Sequence, residues 1–180
     1  MEDIKVHAIW LAQDDPKKNT AVLASRRGDL KLHKNLRSIP RKGVILEPLC
    51  GKIFGPEDHE LLTVKHGSLV GLDCSWAQIE SSVETVMKRT RLVPRMLPLL
   101  LAANPVNWGK PSKLTTAEAL AAALYLTGRI EQAKNVLGAF RWGNRFFELN
   151  KEPLDAYRMA KSSSELVDLQ FEFFDIEHLR

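Results

Sequence analysis

Cysteine is nearly absent: Cys50 and Cys74 are the only two in 180 residues. Neither belongs to a C-x-x-C pair, so no disulfide framework is implied. His59 and His66 are a weak start toward a metal site, because Gly67 follows directly and further ligands are missing. The expectation is a reduced protein without metal. Long apolar runs are missing too. The longest, Met96 to Val106, is interrupted by Pro98, Asn104 and Pro105. It is far short of the ~20 residues of a membrane span. The first residues, Met1-Glu2-Asp3-Ile4-Lys5, lack the charged-then-apolar pattern of a secretion signal. A cytoplasmic protein with no membrane association is expected.

Signature loops are absent as well. No G-x-G-x-x-G follows a strand pattern, no G-x-x-x-x-G-K-[ST] occurs, and there is no G-x-S-x-G. The common dinucleotide fold, the P-loop and the hydrolase nucleophile elbow are therefore unsupported.

One further absence is local. Lys17 to Lys42 holds nine basic residues (Lys17, Lys18, Arg26, Arg27, Lys31, Lys34, Arg37, Arg41 and Lys42) and a single acid, Asp29. The segment carries +8, while the chain as a whole carries only +4, so the remainder is net negative. A run of charge is ordinarily a solvated helix face. The lack of acids removes the paired charges of an inert face, and a phosphate backbone is the simplest partner for such a patch.

The composition that is present is globular, with 44% hydrophobic and 27% charged residues. Ile4–Ala12, Val44–Leu49 and Ser68–Leu72 read as strands, apolar enough for burial on both faces of a parallel sheet. Leu23, Leu30 and Leu36 give the basic segment between them a helix-like pattern. Helical patterning runs from Ser81 to Met87 and resumes at Met96, with no convincing strand after residue 90. Thr115 and Glu118 match a capping box opening a helix over Ala117–Thr127, which Gly128 ends. Ile130–Phe140 and Phe146–Ala160 continue as amphipathic helices. The acidic tail, Ser162–Arg180, keeps enough apolar side chains to dock. The layout is an α/β unit over residues 1–90 followed by an all-helical unit over 91–180.

Three places are unusual, and each supports two readings. Asp14-Asp15-Pro16-Lys17-Lys18-Asn19-Thr20 ends the first strand, where α/β layers bind ligands, or is a solvated turn. Leu72-Asp73-Cys74-Ser75-Trp76 ends another strand. It caps a helix with Ser75 and Gln78 and buries Trp76, or it offers an indole face to a purine or cationic sulfur and a carboxylate to a proton. Arg95–Pro111, rich in Asn, Pro and Trp, braces the fold or lines a site.

Together these places resemble a known family. Asp15-Pro16-Lys17-Lys18-Asn19-Thr20, Leu72-Asp73-Cys74-Ser75-Trp76, Arg95-x-Leu97-Pro98, Ala102-Ala103-Asn104-Pro105-Val106-Asn107-Trp108-Gly109, Leu114-Thr-Thr-Ala-Glu118-Ala119 and Phe140-x-Trp142-Gly143 are similar to motifs of the small-subunit ribosomal RNA aminocarboxypropyltransferases. The likeness covers roughly Val6 to Tyr157. It implies a SPOUT-like parallel sheet with flanking helices and a trefoil knot, followed by an all-helical C-terminal domain. It also implies transfer of the 3-amino-3-carboxypropyl group of S-adenosylmethionine to N3 of an (N1-methyl)pseudouridine in small-subunit rRNA, releasing methylthioadenosine. By the same resemblance, the adenine would lie against Leu46, Pro48 and Trp76. Backbone groups of Leu97 and Ser112 would read its edge, Leu72 would meet the ribose, and Ala119 would close the pocket. Thr20 would hold the amino-acid end and Asp73 would stand nearest the chemistry; the chemistry of a carboxylate there allows two roles, a base for the weakly acidic N3 proton or a group that only binds cofactor or orients the loop. Lys17, Lys18, Arg26, Arg27, Lys31 and Lys34 would face RNA, in free rRNA or a pre-ribosomal particle, and the protein would act as a monomer. The chain departs from the pattern at Asn19-Thr20-Ala21, where Cys-Thr-Gly is frequent, at Ser112, where an aromatic is common, and at Trp108, where Tyr is common. Two other functions remain open: a SPOUT-type RNA methyltransferase, and a non-catalytic rRNA-binding assembly factor.

Overall fold

A computed structural model describes residues 2–176. Five strands form one sheet, all parallel, in the order β2-β1-β4-β3-β5. They are β1 (Val6–Trp10), β2 (Lys31–His33), β3 (Gly43–Leu46), β4 (Ser68–Asp73) and β5 (Val93–Arg95). The three apolar runs read as strands are β1, β3 and β4, the centre of the sheet. β3 is buried along its whole length, as expected of a strand covered on both faces.

The two edge strands depart from the sequence reading. The basic segment forms an α-helix at its start, α1 (Thr20–Arg27), which Gly28 ends at φ 85°, and beyond that only a single 3-10 turn over Leu36–Ser38. After α1 the chain turns into β2, where a helix pattern is expected. β5 is a strand beyond residue 90, pairing with β3 from Val44↔Val93 to Leu46↔Arg95. Both edges are three residues long, too short for alternation to register in the sequence.

Helices α2 (Pro56–Thr63) and α3 (Ile79–Met87) connect β3 to β4 and β4 to β5. Five more follow: α4 (Thr116–Leu126), α5 (Ile130–Leu137), α6 (Gly143–Leu149), α7 (Lys151–Met159) and α8 (Ser163–Phe173). Helix α4 carries apolar residues all round and is buried on nearly every side. It lies on β4 at close range: a Cβ on Gly71 would stand 2.8 Å from Thr116 Cγ2 and 3.3 Å from Leu120 Cγ. One apolar cluster therefore runs from Ile4, Ala8 and Leu69 in the sheet through Leu120 and Leu124 to Leu154 and Leu166. A smaller one (Ile9, Ile45, Val70, Val86, Leu92) fills the opposite face beneath α3. The acidic tail docks through Leu166 and Gln170, while residues 177–180 lie outside the described ones.

Met96 onward is extended rather than helical. Pro94, Pro98 and Pro105 remove donors and hold their preceding residues out of helical backbone. The freed backbone groups find side-chain partners. Asn150 accepts from Leu101 N at 2.7 Å and donates to Leu101 O at 2.9 Å, Gln170 accepts from Leu99 N, and Tyr157 donates to Leu99 O. Among the described residues, no helix is long and apolar enough to cross a membrane.

Candidate functional site

The connections from β1 and β4 leave the sheet in opposite directions, β1 toward β2 and β4 toward β5. The crevice beyond their carboxyl ends is thus a topological switch point, the place where open α/β sheets bind ligands. Trp10 and Asp73 are register partners at the rim of that crevice.

A pocket opens beside it, beyond the carboxyl ends of β3, β4 and β5. Its space amounts to about 830 Å³ with the open solvent at its mouth included, and its walls are mainly apolar with a few polar groups. Leu46, Glu47 and Pro48 form one wall, Leu72, Cys74, Trp76 and Ile79 the second, and Met96, Leu97 and Pro98 the third. Ser112 and the start of α4, from Leu114 to Thr116 and Ala119, close it. Seven of the residues singled out from sequence (Leu46, Pro48, Leu72, Trp76, Leu97, Ser112 and Ala119) line this single space. Trp76 is 40% exposed, so it is not a core residue; Lys113 Nζ lies 4.5 Å from its ring centroid. Ser112 holds φ 59°, a left-handed conformation rare for a side-chain-bearing residue. Its amide donates to Leu100 O at 2.9 Å.

Asp73 and Thr20 are not in the lining but stand directly behind it. Thr116, which is, donates from Oγ1 to Asp73 Oδ1 at 2.6 Å. Thr20 is the first residue of α1, where backbone amides have no intrahelical acceptor, and its Oγ1 accepts from Ala117 N at 3.3 Å. The second Asp73 oxygen accepts from Asn19 Nδ2, which also donates to Asp14; Asn19 Oδ1 in turn caps α1 by accepting from Val22 N. Burial raises the Asp73 pKa above the ordinary carboxylate value, with Asp14 adding to the rise, while the bonds from Thr116 and Asn19 oppose it. Burial and the adjacent Asp73 also push the Cys74 thiol up to about 11, so it is a neutral thiol at pH 7 and no nucleophile.

The Asn- and Pro-rich loop is a brace, and its anchor is Glu118, which is fully buried. Its carboxylate accepts from Ala103 N (2.7 Å), Asn104 N (3.0 Å), Asn104 Nδ2 (2.9 Å) and Thr115 N (2.7 Å), the last closing the capping box of α4. A second buried contact holds the other side. Arg95 Nε donates to both Asp58 oxygens at 2.9 Å, tying the end of β5 to α2. The sequence reading missed Asn19, Thr116 and Glu47 as site residues. Asn19 and Thr116 stand beside named positions, but their convergence on Asp73 spans 54 and 43 residues and leaves no periodic mark.

All nine basic side chains of Lys17–Lys42 are exposed. Lys17 and Lys18 lie in the turn before α1, Arg26 and Arg27 in its last turn, and Lys31 and Lys34 on and beyond β2. Among the described residues, only Arg27 has an acidic partner within this segment, Asp29 at 3.2 Å. No group of three or more potential metal ligands occurs among the described residues.

Known proteins resemble this chain in sequence and in fold. The ribosome biogenesis protein, C-terminal family matches residues 44–174. The 16S rRNA aminocarboxypropyltransferase of Methanosarcina acetivorans is 43% identical over 168 residues, covering 93% of each chain. That of Methanopyrus kandleri is 43% identical over 159 residues, 88% of this chain and 92% of its own. Among solved structures, the SAM-dependent rRNA:acp-transferase Tsr3 from Vulcanisaeta distributa superposes with a TM-score of 0.82 at 35% identity, over 94% of this chain and 88% of that one. With a shared fold, shared length and identity well above what fold alone requires, the chain belongs to the rRNA aminocarboxypropyltransferase family.

Proposed function

We propose that this enzyme transfers the 3-amino-3-carboxypropyl group of S-adenosylmethionine to N3 of an (N1-methyl)pseudouridine in small-subunit rRNA during ribosome biogenesis in the cytoplasm. The observation that carries the reading is the pocket itself, with apolar walls, one indole face, and a buried carboxylate one hydroxyl away. Those features suit a flat purine joined to a positive sulfonium. S-adenosylmethionine supplies an electrophilic carbon: N3 bonds to it, the carbon–sulfur bond breaks, its electron pair stays on sulfur, and methylthioadenosine leaves.

The residues divide that work. Trp76, Leu46 and Pro48 hold the adenine, and backbone groups of Leu97 and Ser112 read its edge. Leu72 meets the ribose, and Ala119 closes the space from α4. The Thr20 amide, at the free end of α1, takes the carboxylate of the amino-acid chain. Apolar walls shield the methyl group and leave the longer chain facing the acceptor, which decides which of three sulfonium carbons is attacked. Asp73 accepts the N3 proton as a base; each of its oxygens keeps a lone pair beyond those facing Thr116 and Asn19. Residues 1–90 present the basic surface and 91–180 complete the pocket, in a SPOUT-like monomer threaded as a trefoil knot.

The test is titration of the pure protein with S-adenosylmethionine, then product analysis after incubation with small-subunit rRNA carrying N1-methylpseudouridine. Methylthioadenosine and a modified nucleoside carrying the aminocarboxypropyl group are expected. S-adenosylhomocysteine in their place would mean a methyltransferase, and failure to bind the cofactor would mean a non-catalytic assembly factor.

A further inference from the structure

Beyond the pocket, a groove runs along the outer edge of the sheet between α1 and β2, lined by Trp10, Pro16, Arg26, Lys31, Lys34 and Asn35 among others. It contains no carboxylate among the described residues. Arg26, Lys31 and Lys34 have no acidic partner there. The groove is thus electropositive without internal compensation, which suits phosphate. Its floor is aromatic. Trp10 ends β1, and Lys34 Nζ lies 5.1 Å from its ring centroid, so a cation rests over the indole. The Trp10 N–H is buried with no hydrogen-bond partner, an uncommon and costly state for an indole donor. Trp10 is also the register partner of Asp73, so its backbone runs one strand spacing (~4.8 Å) from that of the residue assigned above as the reacting base.

We propose that this groove is a single-stranded RNA subsite in which Trp10 stacks the nucleobase flanking the modified one. The inference rests on the proposed rRNA substrate and adds to it the place where the neighbouring nucleotide is held. Lys34 leaves the ring face and joins Arg26 and Lys31 on the phosphates, which frees that face for a base. Recognition of splayed bases by aromatic platforms and basic rims is the usual way single-stranded RNA is read, since every base offers a π-face. With the flanking base stacked on Trp10, the acceptor base is unstacked and turned toward Asp73. The basic residues and the reacting end then serve one strand of RNA.

The experiment uses the full chain and a short single-stranded oligoribonucleotide bearing one 2-aminopurine, whose fluorescence is quenched on stacking. Wild type is expected to bind and quench. Trp10→Leu should bind about tenfold more weakly and lose the quench. Trp10→Phe should stay within about threefold and keep it. Lys34→Gln should weaken binding and shallow its salt dependence while leaving the quench intact at saturation. Unchanged binding and quench in Trp10→Leu would overturn the groove assignment. So would equal losses in Trp10→Leu and Trp10→Phe accompanied by a fall in Tm, because the ring would then be structural. Wild type that binds no RNA at any salt would remove the rRNA reading itself, a separate outcome from failure of the groove. S-adenosylmethionine affinity, measured in parallel, should be the same in all three variants.

Discussion

Asp73 and Trp76, four chain positions from strand tip to indole, separate the chemistry from the binding. Asp73→Asn preserves shape: the amide oxygen accepts from Asn19, and the amide nitrogen donates to a rotated Thr116 hydroxyl. Cofactor affinity should persist while turnover falls about 100-fold or more, the scale of a lost general base. The pH profile gives a second readout. Because burial raises the Asp73 pKa, the carboxylate is lost at higher pH than an exposed one, so wild-type rate should fall on the acid side. In Asp73→Asn that acid limb should vanish. A retained limb would assign the titration to another group. Trp76→Ala should do the opposite and weaken S-adenosylmethionine about tenfold by calorimetry, with catalysis at saturating cofactor much less affected. At this scale the sequence revealed positions but not partnerships. Trp76 and Asp73 are conspicuous as types, whereas Asn19 and Thr116 matter because α1 and α4 bring them to the same carboxylate, a convergence that only the folded chain creates.

Elements were legible where burial shaped them and illegible where tertiary partners did. The central strands and α4 write their burial into runs of Val, Ile, Leu and Ala, and the Thr115–Glu118 box marks a helix start that the structure reproduces. β2 and β5 do not, since three residues cannot show a period. The Met96–Ala103 stretch is apolar enough to suggest a helix. Its prolines, and acceptors supplied from Asn150 and Gln170 far along the chain, hold it extended. Glu118 fastens that extended stretch to α4. In Glu118→Gln, one of the two oxygens becomes an NH2 group facing donors, so Asn104 Nδ2 and Thr115 N lose their acceptor. The expected loss is about 2 kcal/mol of stability by denaturant titration, with an unchanged m-value. Because Ser112, Leu114, Thr115 and Thr116 line the pocket, S-adenosylmethionine affinity should fall in the same variant. A variant that loses stability but not affinity would show that the brace and the pocket are independent.

At the scale of the whole molecule, charge is segregated and the acid response follows from it. His7 sits 2.8 Å from His33 across the β1–β2 edge, with Lys5 and Lys31 nearby. Burial, then the neighbouring charges, lower its pKa to about 4. Between pH 6.5 and about 4 the unfolded chain therefore holds the extra proton. Stability is complete above the upper value and declines as pH falls through that window. His33 and His59 are shifted in the same direction, chiefly by burial, and steepen the decline. His7→Gln should flatten the dependence of Tm on pH between 7 and 5. Lys31, one of the two lysines that help depress His7, belongs to the surface that faces RNA in the proposed reaction. The molecule thus bears a modest +4 overall while presenting nine exposed bases on one segment that starts at the switch-point loop and ends at β3, the strand that leads into the pocket wall. Four of them, Arg26, Arg27, Lys31 and Lys34, lie outside the pocket lining, so reversing them to Glu should leave cofactor affinity nearly unchanged. RNA affinity at moderate salt should collapse, and the slope of log K against log salt should shallow by about 3, as expected when four phosphate contacts to a single strand are removed. Equal loss of both affinities, with a lowered Tm, would make the patch a structural feature of the sheet edge rather than its RNA face.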